Sequence, residues 1–328
     1  MTAAGPPWTP LDFEALRATR LEDRPSKVRV EDFGRAWEPG GSLADFLDRL
    51  PGLLAAAELR RAVKSVGEAV KRGSTVLLGM GAHPVKVGLN PVLVDALQRG
   101  IFTGLAFNGA CVIHDVELAL AGKTSEDVAS QLDGGCFGAA AETAEFIHGA
   151  VARAFEEGGK GLGQAVGERL LAQEAPYREL SLLATAARLG VPVTVHVALG
   201  TDIVHMHPGM DGAATGALSH RDFRLFCRLV STLAQGVYIN LGSAVVLPEV
   251  FLKAFSVARN LGFPLDRLTT IDMDFQNQYR SRVNVVERPV RGTGKGIALV
   301  GHHEIMFPLL MAGVVEWLER EIMQVGPR

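Results

Sequence analysis

The chain has 328 residues, 48% of them hydrophobic and 21% charged, enough to bury a sizeable core as one large α/β domain or two modest ones. A formal charge of -3 provides no basic field for nucleic acid or anionic lipid, and three scattered cysteines (Cys111, Cys136, Cys227) argue against a disulfide framework and for a reducing, cytoplasmic setting. The opening MTAAGPPWTP lacks the basic and apolar regions of a signal peptide, and no uncharged apolar run approaches the roughly 18 residues of a membrane span, which excludes secreted, membrane, fibrous and disordered classes.

Residues 1–41 mix Pro, Gly and charges without a period, and are expected to form an extension that wraps the surface or a neighbouring subunit. From Ser42 onward a single Rossmann-like α/β domain, 42–328, is expected. SLADFLDRL and AELRRAVKSVGEAVKR carry helical spacing. STVLLGM reads as a buried strand, NPVLVDALQRG as a helix, IFTGLAF as a second strand and HDVELALAG as another helix. An Ala- and Glu-rich stretch follows, interrupted by DGGCFG and EEGGKGLG, and residues 123–175 are expected to form a helical insert. Alternation then resumes: VPVTVHVAL (strand), SHRDFRLFCRLVSTLA (helix), GVYINLGSAVV (strand), PEVFLKAFSVARNLG (helix), RLTTIDMDF (strand), IALVG (strand) and EIMFPLLMAGVVEWLEREI (helix). Strands alternating with helices predict an α/β fold with a doubly wound, largely parallel sheet.

In such sheets the ligand lies beyond the carboxyl ends of the strands. Here those ends read GMGAHP, FNGACVIHD, ALGTDIVHMHPGMDG, NLGSA, DMDFQNQY and VGHHE, rich in Gly, His, Asp and Asn. Small residues admit a ligand to the backbone and polar ones orient it, so a binding site is expected along this crest. The common fingerprints fail. GMGAHP has Pro84 where a dinucleotide turn needs its third Gly, RGTGKG has Gly296 where a phosphate loop needs Ser or Thr, and HHEIMF has Phe307 where a zinc helix needs a second His.

Two constellations remain. His205 and His207, with Asp202 upstream and Asp211 downstream, would face one side of an extended segment and could reach one substrate or one metal ion, with His302 or His303 as a third ligand. Hydrogen bonding to substrate or backbone is the plainer alternative. Lys295 lies between Gly294 and Gly296; desolvated there it would be a nucleophile toward a carbonyl or imine, whereas an exposed lysine in a turn is the plainer alternative. Arg280, Arg282, Arg288 and Arg291 suit a carboxylate or phosphate, and Asp272, Asp274, Asp115, Glu249 and Glu304 are candidates for proton transfer.

From about Gly73 to Leu318 the order of these segments resembles the deoxyhypusine synthase family. STVLLGMGAHPVKVGL is similar to its first strand and cofactor loop, with Gly88 matching a family glycine. FNGACVIHD is similar to its Gly-rich turn followed by acids: Asp115 matches one acid, while His114 replaces a Glu. VPVTVHVALGTD resembles the strand ending in Asp, matched by Asp202, and GVYINLGSA stands at a glycine-triplet loop. GTGKG followed by Phe307-Pro308-Leu309-Leu310 resembles the region of the family's catalytic lysine.

The resemblance implies a NAD-binding Rossmann-like fold, a homotetramer, and a reaction in which NAD takes hydride from an amine and the carbon skeleton is held as an imine on the lysine. It makes Lys295 the catalytic amine, and Asp202, His205 and His207 are expected to orient substrate and move protons beside it. The dinucleotide falls to Gly79, Gly81, Gly88, Gly109, Asp115, Gly242, Ser243, Asp272 and His302. The departures are specific. Thr293 replaces the tryptophan before the lysine, His302 replaces the Asp of the final strand, and QNQYRSRVNVVERPVR puts arginines where the family has acids. The expectation is therefore a NAD-dependent enzyme for a small amine or amino acid, one able to carry a carboxylate or phosphate, without the hypusine reaction. A zinc- or other metal-dependent hydrolase or lyase using the histidines, and a non-catalytic nucleotide-binding protein, are the alternatives.

Overall fold

The apolar runs become six parallel strands in a computed structural model that describes residues 8–325. Two helices come first, α1 (Leu43–Arg49), opened by a Ser42–Asp45 capping box, and α2 (Leu54–Lys71). The first strand, β1 (Val76–Met80), leads through the single turn α3 (His83–Lys86) into α4 (Asn90–Gln98). Then come β2 (Gly104–Asn108), α5 (Gly109–Ala121), α6 (Val128–Leu132), α7 (Ala141–Glu157), α8 (Leu162–Ala172) and α9 (Leu182–Leu189). The second half runs β3 (Val193–His196), α10 (Gly212–Val230), β4 (Val237–Leu241), α11 (Val246–Asn260) and β5 (Thr269–Asp274). It closes with α12 (Tyr279–Ser281), which continues into a π-helical stretch at Arg282–Glu287, then β6 (Lys295–Val300) and α13 (His303–Val325).

The sheet order is β3-β2-β1-β4-β5-β6, so the winding reverses between β1 and β4. Alternate strand residues supply two cores. Leu77, Ala106 and Tyr238 pack with Phe226 of α10 and Phe251 of α11. Leu78, Met80, Phe107, Ile271 and Leu299 pack with Val63 of α2, Leu93 of α4 and Leu310 of α13. Burial on both faces explains why the strands read as continuous apolar runs.

Helix α5 begins at Gly109, five residues before the HDVELALAG reading would start it. Asn108 caps it, its side chain accepting from the Cys111 amide at 3.0 Å, so FNGACVIHD is largely helix and not loop. The extension is almost wholly exposed from residue 8 to 41, with two short 3-10 turns. Its root is held where the Arg35 amide donates to the Arg49 carbonyl (2.9 Å) and the Gly52 amide to the Asp32 carbonyl (2.8 Å). Residues 1–7 of the expected extension and 326–328 of the expected domain lie outside the described residues. Among the described residues no helix is long and apolar enough to cross a membrane.

Candidate active site

At the reversal point the loops after β1 and β4 meet backbone to backbone. A Cβ at Gly81 would stand 2.5 Å from the Gly242 carbonyl oxygen, and Gly242, at φ +63, would press a Cβ to 2.7 Å from His303. Only glycines allow this approach. His303, 1% exposed at the start of α13, donates from Nε2 to the Met273 carbonyl at 3.2 Å, while its Nδ1 is buried without a partner among the described residues. Burial lowers this imidazole's pKa, against the Met273 carbonyl and Asp274, which raise it. His83 and Phe275, both exposed, surround the ring at centroid distances of 5.2 and 6.2 Å. Beside them the Asn240 amide donates to Asp272 at 2.7 Å, as does Ser281 Oγ at 2.7 Å, and burial pushes Asp272 up to about 6. Asn240 Oδ1 is a second buried atom without a partner.

The other half of the crest centres on Asp202. Its carboxylate rests on Gly109 at the amino end of α5, where a Cβ would collide with it. His205 Nδ1 accepts from the Gly200 and Asp202 amides (3.1 and 3.2 Å), so the neutral ring carries its proton on Nε2, 3.8 Å from Asp202 Oδ2. Burial raises the Asp202 carboxyl and His205 opposes the rise. A cavity of about 170 Å³ opens on this carboxylate, lined also by Lys86, His114, Glu117, Glu126 and Phe137. His114 Nδ1 meets Thr124 Oγ1 at 2.6 Å, and the Thr124 hydroxyl donates to Glu117. Burial would raise Glu117, but hydrogen bonding with His114 and Thr124 outweighs it and holds the carboxyl below its usual range.

Several sequence expectations move. His205 lies on a 3-10 turn at Ile203–Met206 and His207 is the residue after it, so the pair is not two residues of one extended segment; His207 Nε2 donates to the Gly138 carbonyl at 2.9 Å. Among the described residues no three His, Cys, Asp or Glu side chains converge on a metal position. Asp115 is fully buried and accepts from Ser181 Oγ, the Leu182 and Leu183 amides and Asn90 Nδ2, which makes it the anchor of α9 with no face left for a cofactor. Gly79 faces the Tyr238 hydroxyl inside the sheet, where a Cβ would collide, and Ser243 Oγ accepts from the Leu247 amide at the start of α11. Gly88, at φ +79, lets the chain turn from α3 into α4. His302 points outward, 71% exposed, 3.9 Å from Glu304.

Lys295 is the largest displacement. It is the first residue of β6, exposed, at the amino end of the sheet. The crest lies a six-residue strand away, roughly 20 Å at about 3.3 Å per residue. Its flanking glycines serve packing: a Cβ at Gly296 would strike the Val286 carbonyl, and one at Gly294 would come within 2.8 Å of the Leu268 carbonyl.

Sequence reasoning missed Lys86 and Glu117. Their signals were weak but present: Lys86 follows GMGAHP by one turn, and Glu117 is three residues beyond His114.

No protein-family model matches the chain, and no curated protein matches it. Solved structures do. The ternary complex of AgrE with ornithine and NAD+ aligns at 12% identity and a TM-score of 0.53, over 83% of this chain and 35% of AgrE. A protein of Entamoeba histolytica assigned as a deoxyhypusine synthase aligns at 12% identity and a TM-score of 0.52, over 86% of this chain and 96% of that one. A protein of Methanococcus maripaludis S2 assigned as LOR/SDH aligns at 17% identity and a TM-score of 0.50, over 89% and 75%. This chain spans about one third of ArgZ and AgrE, covering 33% and 35% of them. At such identities the likeness is one of fold, a six-stranded parallel sheet of the deoxyhypusine-synthase-like kind.

Proposed function

We propose that the chain is a NAD-dependent enzyme that oxidises a small amine or amino acid to an imine at this crest. The observation that carries the reading is the cavity at the Asp202 half of the crest, between α3, α5 and the loop after β3, where one ammonium, Lys86, lies among three carboxylates, Asp202, Glu117 and Glu126. That set matches a substrate bearing one carboxylate and more than one amine. The fold shared with an enzyme crystallised with ornithine and NAD+ supports the cofactor. So do the unpartnered Asn240 Oδ1 and His303 Nδ1 beside two glycine loops, which fit a polar ligand pressed against the backbone. Gly81, Gly242, Asn240 and His303 would hold the dinucleotide.

When bound, NAD supplies the acceptor for a hydride. The chain's own residues do the rest. Lys86 binds the substrate carboxylate, and Glu117 and Glu126 hold the distal amine. Asp202, oriented by His205, takes the proton that the reacting nitrogen releases. The C–H bond next to nitrogen breaks with its electron pair leaving as hydride, and those changes leave a C=N bond. Burial, by raising Asp202, moves it toward the basicity such a step needs. Lys295 takes no part.

The test is a screen of amines and amino acids with NAD, followed by NADH absorbance, on the parent chain and on Asp202→Asn, Lys86→Ala and Lys295→Ala. Asp202→Asn should lose turnover while thermal stabilisation by NAD persists, Lys86→Ala should raise KM, and Lys295→Ala should match the parent. Loss of turnover in Lys295→Ala would return the covalent lysine imine and sink this mechanism. NAD stabilisation without turnover on any amine would favour a nucleotide-binding protein.

A further inference from the structure

The two edges of the sheet end differently. At β3 the outward amides of Val195 and Val197 donate to Asp222 (2.9 Å) and Ser219 (3.1 Å) of α10, and the Ser219 hydroxyl donates to the Val195 carbonyl at 2.9 Å. That edge is sealed by side chains. At β6 the Lys295 amide donates to the Leu268 carbonyl and the Gly301 amide to the Asp274 carbonyl, both toward β5. By the alternation of a strand, Gly296, Ala298 and Val300 turn their amides and carbonyls away from β5. None of these outward groups has a partner among the described residues, and Ala298 and Val300 are exposed. An open edge is a template for another strand.

The same chain carries an exposed segment, residues 27–31, whose last two residues begin a single 3-10 turn (Val30–Asp32) that pairing as a strand would unwind. Between Lys27 and Glu31 the apolar Val28 and Val30 alternate with Lys27, Arg29 and Glu31, the pattern of a strand, and both valines are exposed. The amides of Lys27, Val28 and Val30 have no partner among the described residues, and Arg29 is extended at φ -125 and ψ 157. Upstream, Trp8, Leu11, Phe13, Leu16 and Leu21 are all exposed, an apolar load that an isolated chain leaves in water. Val300, the last residue of β6, and Ile305, just beyond it in α13, are exposed too.

We propose that the arm of one copy adds residues 27–31 as an antiparallel strand to the β6 edge of a second copy, which returns its own arm in the same way. Charge sets the direction. Antiparallel addition puts Glu31 beside Lys295 at the start of β6 and Lys27 toward Glu304 beyond its end, whereas parallel addition would oppose Lys27 to Lys295 and Glu31 to Glu304. Reciprocal exchange across a twofold axis closes the assembly and leaves no free edge. With Glu31 opposite Lys295, Val28 falls opposite Ala298.

Light scattering and crosslinking of the whole 328-residue chain test this. The parent chain should have at least twice its chain mass. Val28→Asp combined with Val30→Asp, both in the exposed arm, should reduce it to the mass of a smaller assembly, as should Ala298→Pro, which removes only an outward amide. In a Cys136→Ser background, a mixture of Val28→Cys chains with Ala298→Cys chains should form a disulfide-linked pair that neither variant forms alone. A monomeric parent, variants of unchanged mass, or no crosslink in the mixture would each overturn the proposal. So would a crosslink that forms only when both cysteines are in one chain, which would mean that the arm folds onto its own sheet.

Discussion

Replacing Asp115 by Ala should unfold the protein more easily without touching the active site. The carboxylate receives Ser181 Oγ at 2.6 Å, the Leu182 amide at 2.8 Å, the Leu183 amide at 3.1 Å and Asn90 Nδ2 at 3.2 Å. Ser181 and Asn90 keep other partners after truncation, the Ala184 amide and the Leu180 carbonyl. The Leu182 and Leu183 amides do not. They open α9 in residues that are 0% and 1% exposed, so water cannot replace the lost acceptor. Each buried donor left unmade costs about 1–3 kcal/mol, so with two of them Asp115→Ala should lose about 2–6 kcal/mol. Asp115→Asn retains one acceptor and should lose less. Urea unfolding at neutral pH measures both, with the slope checked so that a midpoint shift reads as stability. In parallel, stabilisation by NAD should persist in whatever fraction stays folded. A variant with the parent midpoint but no response to NAD would refute this account and make Asp115 a cofactor residue.

Two buried groups should leave opposing marks on stability between pH 7 and 5. Burial holds His196 down to about 3 from 6.5, so below pH 6.5 the unfolded chain binds the extra proton, and stability falls on acidification by about 2 kcal/mol at pH 5. Burial pushes Asp222 up to about 7 from 3.8, so there the folded chain binds the proton, and acidification adds back about 2 kcal/mol over the same interval. The parent should therefore be nearly flat for these two groups, Asp222→Asn should weaken on going to pH 5, and His196→Leu should strengthen; parallel slopes in all three would defeat the assignment. Gly109→Ala should stay within about 1 kcal/mol of the parent, since Ala favours the helix, yet it must displace Asp202 and so cut turnover; unimpaired turnover would take Asp202 out of the chemistry. Gly242→Ala, at positive φ and against His303, should destabilise by about 1 kcal/mol or more and weaken stabilisation by NAD, measured by thermal unfolding.

The inner strands were legible because both faces of the sheet are buried there, so they appear as largely apolar runs such as VLLGM or GLAF, whereas β6 at the edge alternates exposed and buried residues. The crest was legible for the same reason: polar residues immediately after such runs have nowhere else to go. What was not legible depended on local caps. Asn108 reads as a loop residue unless its amide partner three residues on is known, and so α5 began too late. His205 reads as one half of a pair with His207. In the fold its Nδ1 is committed to the Gly200 and Asp202 amides within a 3-10 turn, and His207, just after that turn, is bonded instead to the Gly138 carbonyl. Lys295 looked like a ligand residue because of its glycines, but a glycine admits a neighbouring backbone as readily as a ligand, and at Gly296 the neighbour is the Val286 carbonyl.

Asp115 and Asp202 make the same point with one residue type. Each is a buried acid at the amino end of a helix, Asp115 at α9 and Asp202 against Gly109 of α5, and burial raises both carboxyls. Sequence spacing cannot separate them. The count of donors does. Asp115 is saturated by four, while the ring facing Asp202 among the described residues is His205, no nearer than 3.8 Å, and the Asp202 side chain remains 10% exposed at the mouth of a cavity. A saturated carboxylate contributes to folding and a carboxylate with spare lone pairs can accept from a ligand. The two asparagine variants should therefore divide cleanly. Asp115→Asn should lower the unfolding midpoint and leave turnover per folded molecule alone, whereas Asp202→Asn should hold or raise the midpoint, because it removes a buried charge with a single weak partner, and should abolish turnover. If Asp202→Asn destabilises as much as Asp115→Asn, the carboxylate at Gly109 is a structural anchor, and the proton acceptor has to be sought at Asp272 or His83.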